Sequence, residues 1–456
     1  MEAEIAIIGS GIAGSAMAHV MGLQNRKVVL IERQFSEPDR IVGELLQPGG
    51  MTALQELQLE DCVENIEAAV VHGYVVHYMR NGESVVLTYP RKESGDSIHT
   101  GRAFHHGRFV MNLRKAALAN TNVYKLEGSA TQLIYEAGCV VGVSVKTKDS
   151  DSEVIIKAQL TVVADGSFSK FRRELSASEQ KICSHFVGII MEDCPQFKPN
   201  FAEVIISEAG VILVYKISPH CTRALIDIRG PIPSNLRSHI LESFVNHVPQ
   251  HIRAPFVRAV ENGRLRSMPN CFLASQPKCI PGVILLGDAS NQRHPLTGCG
   301  MTAAFNDVII WRNLLQGIDL SDHSVVLSAV EKFHWERKSN HSYVINVLAQ
   351  ALYSLFSATE DNMKYLQEAC FNYFQLGGEC ADGPIALLSV VTPKPLKLIG
   401  HFFTVAFYAM YNVTASHGLW MLPLGLIRSL RVIYTACKVI FPLMLSETLK
   451  PIKANY

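Results

Sequence analysis

Apolar positions along the chain fall into short runs separated by polar turns, and their spacing predicts the elements. EIAII (4–8) reads as a buried strand, residues 12–23 as a helix, and KVVLIE (27–32) as a second strand. That order is the βαβ opening of a doubly wound α/β sheet. Residues 74–90 alternate with the period of a strand, with a turn expected at Asn81-Gly82. A helix is expected over 109–121, then a series of strands over 123–164 ending in LTVVADG. HFVGIIM, AEVIIS, GVILVYKIS and TRALIDIRG predict further strands between 180 and 275, with a helical stretch over 234–262. These runs read as an antiparallel sheet inserted between two returns to the first domain.

The last third changes character. Residues 324–374 read as helical, with HSYVINVLAQALYSLFSA amphipathic at a 3.6-residue period. After Lys397 come thirty residues without Asp, Glu, Lys or Arg, split by a polar break from Asn412 to Gly418. The apolar half at 398–411 has fourteen residues, short of the roughly 20 a spanning helix needs. A second apolar stretch, 432–445, is interrupted by Lys438 and Pro442. With Arg428, Arg431 and Lys438 nearby, short helices lying in one membrane leaflet fit this pattern. An ordinary buried helical subdomain fits it too. Asn412-Val413-Thr414 matches a glycosylation sequon, which carries no meaning on a cytosolic face.

Composition narrows the classes. The chain has 456 residues, 42 basic and 41 acidic, so its charge offers no footprint for nucleic acid. Eleven cysteines without C-x-x-C spacing read as thiols in a reducing compartment. The strand pattern starts at once, so no secretory signal is expected.

GSGIAG places Gly9, Gly11 and Gly14 between a strand and a helix, and Glu32 ends the next strand. The first glycine permits the turn, the second lets a pyrophosphate approach, and the third lets helix and strand pack. The carboxylate can accept bonds from a ribose; the plain alternative is a tight turn with a surface Glu. A second G-x-G-x-x-G is absent, but two further strand ends follow: TVVADGSFSKFRR (161–173) and LLGDASNQRHPLTGCGMT (285–302). Asp288 can hold a ribityl chain, and the turn at Gly298, Gly300 and Met301 can aim backbone N–H groups at a flavin ring.

In this order the three motifs resemble the FAD-dependent aromatic-hydroxylase-like monooxygenases. Within that group the chain resembles the squalene monooxygenase (squalene epoxidase) family. The likeness is carried by EPDRIVGELLQPGG (37–50), GRAFHHGRFVMNLRKA (101–116), LTVVADGSFSKFR (160–172), SHFVGIIM (184–191) and GDASNQRHPLTGCGMTAAF (287–305). LAQALYSLFSA (348–358) and YFQLGGECADGP (373–384) extend it over almost the whole chain. The resemblance implies FAD contacts at Ile12, Ala13, Glu32, Arg33, Arg40, Leu45, Arg114, Ala130, Asp288 and Met301, and a pair, Gln47 and Tyr74, beside flavin and substrate. It also implies three regions: a discontinuous Rossmann-like FAD-binding domain (1–72, 101–178, 276–320), a substrate-binding β-sheet domain (73–100, 179–275), and a C-terminal helical membrane-associated region (321–456). A long apolar cavity is expected between the first two.

The implied activity is conversion of squalene to (S)-2,3-epoxysqualene with O2 in sterol biosynthesis. Electrons would come from NADPH through NADPH–cytochrome P-450 reductase. The implied location is the cytosolic face of the endoplasmic reticulum membrane, held peripherally as a monotopic protein. An alkene has no acidic proton, which agrees with the lack of a Ser-His-Asp or metal constellation. His105 and His106 are expected to be structural, His294 to shape its turn, and residues 337–341 (RKSNH) to form a solvated helix face. The family usually has Gly-Gly-Gly-Met where this chain has Cys299 in the middle, and an aromatic residue where it has Ser290. A negative φ at Cys299 makes it a tolerated small residue; a positive φ, or contact with the ring, makes it costly. A redox thiol facing the flavin is the further option there. A non-catalytic FAD- or isoprenoid-binding relative and a flavin-dependent isoprenoid reductase are the competing functions.

Overall fold

The computed structural model describes residues 1–93, 95–148, 153–415, 422–448 and 452–453. The βαβ opening is present as Glu2–Ile8, the helix Ile12–Leu23 and Val28–Glu32. Five strands run parallel in the order Val123–Glu136, Val28–Glu32, Glu2–Ile8, Glu153–Val163, Val283–Leu285. In register, Ile5 faces Val28 on one side and Leu160 on the other. Glu2–Ile8, Val28–Glu32 and Val283–Leu285 are apolar at successive buried positions, as the centre of a parallel sheet covered on both faces requires. Cys139–Thr147 is antiparallel to both long strands, Val123–Glu136 and Glu153–Val163, and completes the six-stranded sheet.

The second sheet has seven strands, ordered Arg266–Phe272, Lys181–Glu192, Cys221–Ile228, Val211–Lys216, Ala202–Ile206, Gly73–Tyr78, Glu83–Thr88. It departs from the expected all-antiparallel sheet at one place. Ala202–Ile206 and Gly73–Tyr78 pair in parallel, with Ala202 opposite Tyr74. The hairpin after Gly73–Tyr78 turns at Asn81-Gly82, where Gly82 has φ 76°. One face of this sheet packs Ile205, Ile212 and Ile226 on Ile240, Phe244, Ile252 and Phe256. Ile240, Ile252 and Phe256 come from Leu236–Ser243 and Gln250–Asn262, two helices where one stretch was expected, and Phe244 directly follows the first. A three-stranded sheet (Leu45–Leu46, Gly101–Ala103, Ala69–Val71) carries Leu45 and Gln47 toward Tyr74.

The C-terminal third is helical. The apolar segment 398–411 lies within Pro395–Ala415, a 21-residue helix. The segment 432–445 lies within Leu422–Glu447, a 26-residue helix that Lys438 and Pro442 do not interrupt. Pro442 is exposed, so the Lys438 carbonyl it leaves without an N–H donor is not sealed in a core. These helices are longer than the sequence pattern suggests, and Ile427–Glu447 is long and apolar enough to cross a membrane by length and composition. They leave Phe407, Tyr411, Leu430, Tyr434 and Leu445 between 55% and 70% exposed. The end of the polar break, 416–418, lies outside the described residues. The segment 337–341 is not a solvated face: Arg337, Lys338 and His341 are buried, and Lys338–Ser342 forms a π-turn.

Candidate functional site

Both large sheets and the glycine turns open on one cavity of about 700 Å³. Of the residues expected to contact FAD or substrate, all line it except Gly14 and Gln47, which lie behind it.

The first turn leaves Glu2–Ile8 at Gly9, with φ 100°. A Cβ on Gly9 would lie 2.5 Å from the Ala164 carbonyl oxygen, and one on Gly14 would lie 1.9 Å from the Gly9 oxygen. Both positions therefore need glycine. A Cβ on Gly11 would meet nothing within 4 Å, so bare backbone faces the cavity there. Glu32 Oε2 accepts from Ser10 N at 2.8 Å. Arg114, buried on the helix His106–Leu118, donates through Nε to the Ser10 oxygen and through Nη1 to the Ser36 oxygen, each at 2.9 Å. Its Nη2 is 3.7 Å from Glu32 Oε2. Acid and base thus hold the turn from opposite sides.

The second and third strand ends are clamped to each other. Arg172 donates through Nη2 to the carbonyls of Gly166 (3.0 Å), Ser167 (3.0 Å) and Asp288 (2.9 Å), and through Nε to Ala289 (3.1 Å). Ser167 Oγ donates to Asp288 Oδ2 at 2.8 Å. Arg172 was visible only as part of a basic stretch. Its partners Asp288 and Ala289 lie more than a hundred residues away, so no local pattern marks the clamp.

Past Pro295–Thr297 the chain turns at Gly298, φ 64°, and the helix Gly300–Leu314 begins. A Cβ on Gly298 would sit 3.2 Å from Leu45 and 3.4 Å from the Gln47 amide, whereas one on Gly300 would meet nothing within 4 Å. Cys299 has φ −87°, which any L-residue adopts. Its thiol donates toward the Thr297 and Leu388 carbonyls, 3.3 Å from each, and packs with Ala303, Ile345 and Val390. Cys299 does not line the cavity, and burial pushes its pKa up to about 11. The redox-thiol option is therefore excluded by geometry. Ser290 also lies away from the cavity, with its hydroxyl 3.2 Å from that of Ser275.

Gln47 immediately precedes the helix Pro48–Glu56 and is buried. Its Nε2 donates to Tyr74 Oη at 2.6 Å and to the Thr297 carbonyl at 2.7 Å, and its Oε1 accepts from Tyr89 Oη at 2.8 Å. With both ends of the amide occupied, its orientation is fixed. Burial raises the Tyr74 pKa to about 12, so the phenol is neutral at pH 7. Tyr89 was not anticipated; it completes the amide's set of partners. His106 Nδ1–H donates to the Gly43 carbonyl at 2.9 Å, and burial pushes its pKa down to about 4. His106 is thus neutral and structural, while also lining the cavity. His294 is buried and its Nδ1 accepts from Leu296 N at 3.2 Å, which shapes the turn as expected.

The opposite wall comes from alternate residues of the seven-stranded sheet: Tyr74, Leu213, Tyr215, Leu225 and Met268. A buried bidentate pair closes one side of it. Arg223 donates through Nε to Glu44 Oε2 at 2.8 Å and through Nη2 to Oε1 at 2.9 Å.

Comparison with known proteins agrees with this geometry. The squalene epoxidase family model matches residues 157–427. The chain is 51% identical to a squalene monooxygenase of Mus musculus over 445 residues, 97% of this chain and 78% of that protein. It is 43% identical to the squalene epoxidase erg1 of Aspergillus fumigatus, covering 98% of this chain and 94% of the relative. In fold it is similar to the flavin-dependent brominase Bmp2 (TM-score 0.69, 16% identity, 90% of this chain and 99% of that one). It is also similar to p-nitrophenol 4-monooxygenase PnpA of Pseudomonas putida (TM-score 0.69, 16% identity, 87% of this chain and 98% of that one). Glycine turns, strand-end acids and near-full-length likeness agree: the chain belongs to the squalene epoxidase family, and its fold is that of FAD-dependent monooxygenases.

Proposed function

We propose that this protein is an FAD-dependent monooxygenase that epoxidises squalene at its 2,3 double bond. The observation that carries the reading is the convergence of three glycine turns on one cavity whose far wall is largely apolar. The residues present fit FAD. Gly11 and Gly300 offer bare backbone with room beyond it, at the N-terminal ends of Ile12–Leu23 and Gly300–Leu314. We assign Gly9, Gly11, Ile12, Ala13 and Gly14 to the diphosphate turn, Glu32 to the ribose, and Arg33, Arg40 and Ala130 to the adenosine end. Leu45, Arg114, Asp288, Gly298, Gly300 and Met301 are assigned to the remainder of the cofactor. The three regions expected from the sequence, 1–72 with 101–178 and 276–320, 73–100 with 179–275, and 321–456, are proposed as its domains.

Reduced FAD with O2 supplies an electrophilic oxygen to the trisubstituted alkene. The chain's own task is to orient that alkene and keep water away from the cofactor. Leu213, Leu225 and Met268 present apolar surface for a hydrocarbon. The Tyr74–Gln47–Tyr89 network supplies a rigid, uncharged wall, consistent with a reaction that takes no proton from its substrate. Cys299 and Ser290, the two departures that favoured a non-catalytic relative, both point away from this wall.

Electrons are proposed to arrive from NADPH through NADPH–cytochrome P-450 reductase. The exposed apolar residues on Pro395–Ala415 and Leu422–Glu447 support association with the endoplasmic reticulum membrane from its cytosolic side. The test is an absorption spectrum of the purified protein followed by aerobic turnover with squalene, NADPH and reductase. A flavin spectrum with 2,3-epoxide formation is expected. Bound flavin without epoxide, in an assay where a squalene-epoxidising relative turns over, overturns the proposal.

A further inference from the structure

On the packing side of the seven-stranded sheet, away from the cavity wall, three chain-distant residues meet. His77 comes from Gly73–Tyr78, Glu203 from Ala202–Ile206 and His251 from the first turn of Gln250–Asn262. His77 Nε2 lies 2.9 Å and His251 Nε2 3.0 Å from the same oxygen, Glu203 Oε2. One ligand atom from each of the three residues falls within 4.8 Å of the other two. Because the three positions are far apart in the chain, no ligand spacing marks them.

The Glu203 side chain is 2% exposed, and it sits beside an apolar layer that includes Ile205 and Ile212. A buried carboxylate needs a counter-charge as well as hydrogen bonds. Its other oxygen accepts from Phe197 N at 3.1 Å, which supplies a bond and no charge. Among the described residues no lysine or arginine pairs with it; its ion-pair partners are the two histidines. With both imidazoles neutral, the cluster holds one uncompensated negative charge.

We propose that His77, Glu203 and His251 bind one divalent ion of the zinc class, which ties the helix Gln250–Asn262 to the sheet. Two imidazoles and a carboxylate are a zinc ligand set, and they leave a fourth position for water. Metal–ligand distances of about 2.0–2.2 Å set neighbouring donor atoms about 3.3 Å apart, so the observed spacing has to open by only a few tenths of an ångström. His77 Nδ1 is 2.7 Å from Ser84 Oγ. A proton held there leaves the Nε2 lone pair for the metal, the usual backing of a ligating histidine. The His251 side chain is 24% exposed, which gives the ion a way in. Imidazole ligands favour zinc over magnesium or calcium.

The experiment is equilibrium dialysis of the chelator-treated full chain against zinc chloride, with zinc per chain measured and thermal unfolding followed in parallel. Wild type is expected to bind one zinc per chain that magnesium does not displace, and its Tm should climb with zinc concentration. His251→Gln still donates a hydrogen bond to Glu203 but is a poor zinc ligand. This zinc should then bind more than about 100-fold more weakly, and the Tm shift should vanish. Ser84→Ala, which removes the backing of the His77 ring, should weaken binding about tenfold. Wild type that takes up no more zinc than His251→Gln overturns the proposal. Any zinc seen is then adventitious, held by the eleven cysteines, and the cluster is a hydrogen-bonded network alone. If His251→Gln fails to fold, Ser84→Ala, at an exposed position on the edge strand, decides: unchanged zinc affinity there overturns the assignment.

Discussion

The two faces of the seven-stranded sheet are built from alternate residues of the same strands, yet they do different work. Toward Leu236–Ser243 and Gln250–Asn262 the sheet presents Val187, Ile189, Ile205, Ile212, Val214 and Ile226, an apolar layer broken where Glu203 meets His77 and His251. Toward the cavity it presents Tyr74, Leu213, Tyr215 and Leu225, and Arg223 pairs with Glu44 there. Tyr215 and Arg223 are direct cross-strand partners, so the charge sits on the cavity side of the register. Since side chains alternate along a strand, the fold can keep a plain packing face one residue away from a face shaped by chemistry. Stability and recognition are separated by a period of two.

That separation can be broken, and the largest effect should come from the charge on the cavity face. Replacing Glu44 by Ala strands the Arg223 guanidinium, 7% exposed in its side chain, and should cost about 3–5 kcal/mol in urea unfolding. Phe256→Ala on the packing face should cost a similar about 3–5 kcal/mol, while the remaining folded protein binds flavin normally. Equal destabilisation with lost flavin binding in both variants would show that the faces are coupled, not separate.

A pH profile tests the cavity wall next. The folded-state pKa of His106 is pushed by burial to about 4 from an ordinary 6.5. Between those values the unfolded chain binds the extra proton, so stability is complete above pH 6.5 and falls as pH drops toward 4. The loss should reach no more than about 3 kcal/mol at pH 4, and His106→Gln should flatten that part of the profile.

Smaller effects sharpen the picture. Tyr74→Phe removes one acceptor from the Gln47 amide but leaves Thr297, so stability should fall by only about 1 kcal/mol. Epoxide formation should fall about tenfold as the Gln47 wall loosens, on the scale of one lost polar contact. Cys299→Gly should cost about 1 kcal/mol or less and leave the flavin spectrum unchanged, because the thiol faces Leu388.

The dinucleotide turn was legible in the sequence because its constraints are local. Gly9 and Gly14 are demanded by neighbours on adjoining elements, and Glu32 follows at the end of the next strand. The parallel pairing of Ala202–Ile206 with Gly73–Tyr78 was not legible. Both strands have the same apolar alternation whichever direction their partner runs, and the partner is more than a hundred residues away. The bonds from Arg172 to Asp288 and Ala289 and the Glu44–Arg223 pair escaped notice for a related reason: they are contacts that only the folded chain creates. The C-terminal helices were underestimated because Pro442 and the polar residues after Asn412 read as breaks, whereas an exposed helix face tolerates both.

Val390 has φ 58°, an unfavourable conformation for a β-branched residue. The chain there turns its carbonyls onto the opposite part of the protein: Leu388 receives the Cys299 thiol, and Ser389 accepts from Gly49 N at 2.9 Å. The Glu379–Leu388 helix and the residues after it therefore act as a wedge behind the third glycine turn. A shortened version of this protein made for solubility should keep the chain through Val390; cutting ahead of it would unseat the turn while sparing every residue of the glycine fingerprint.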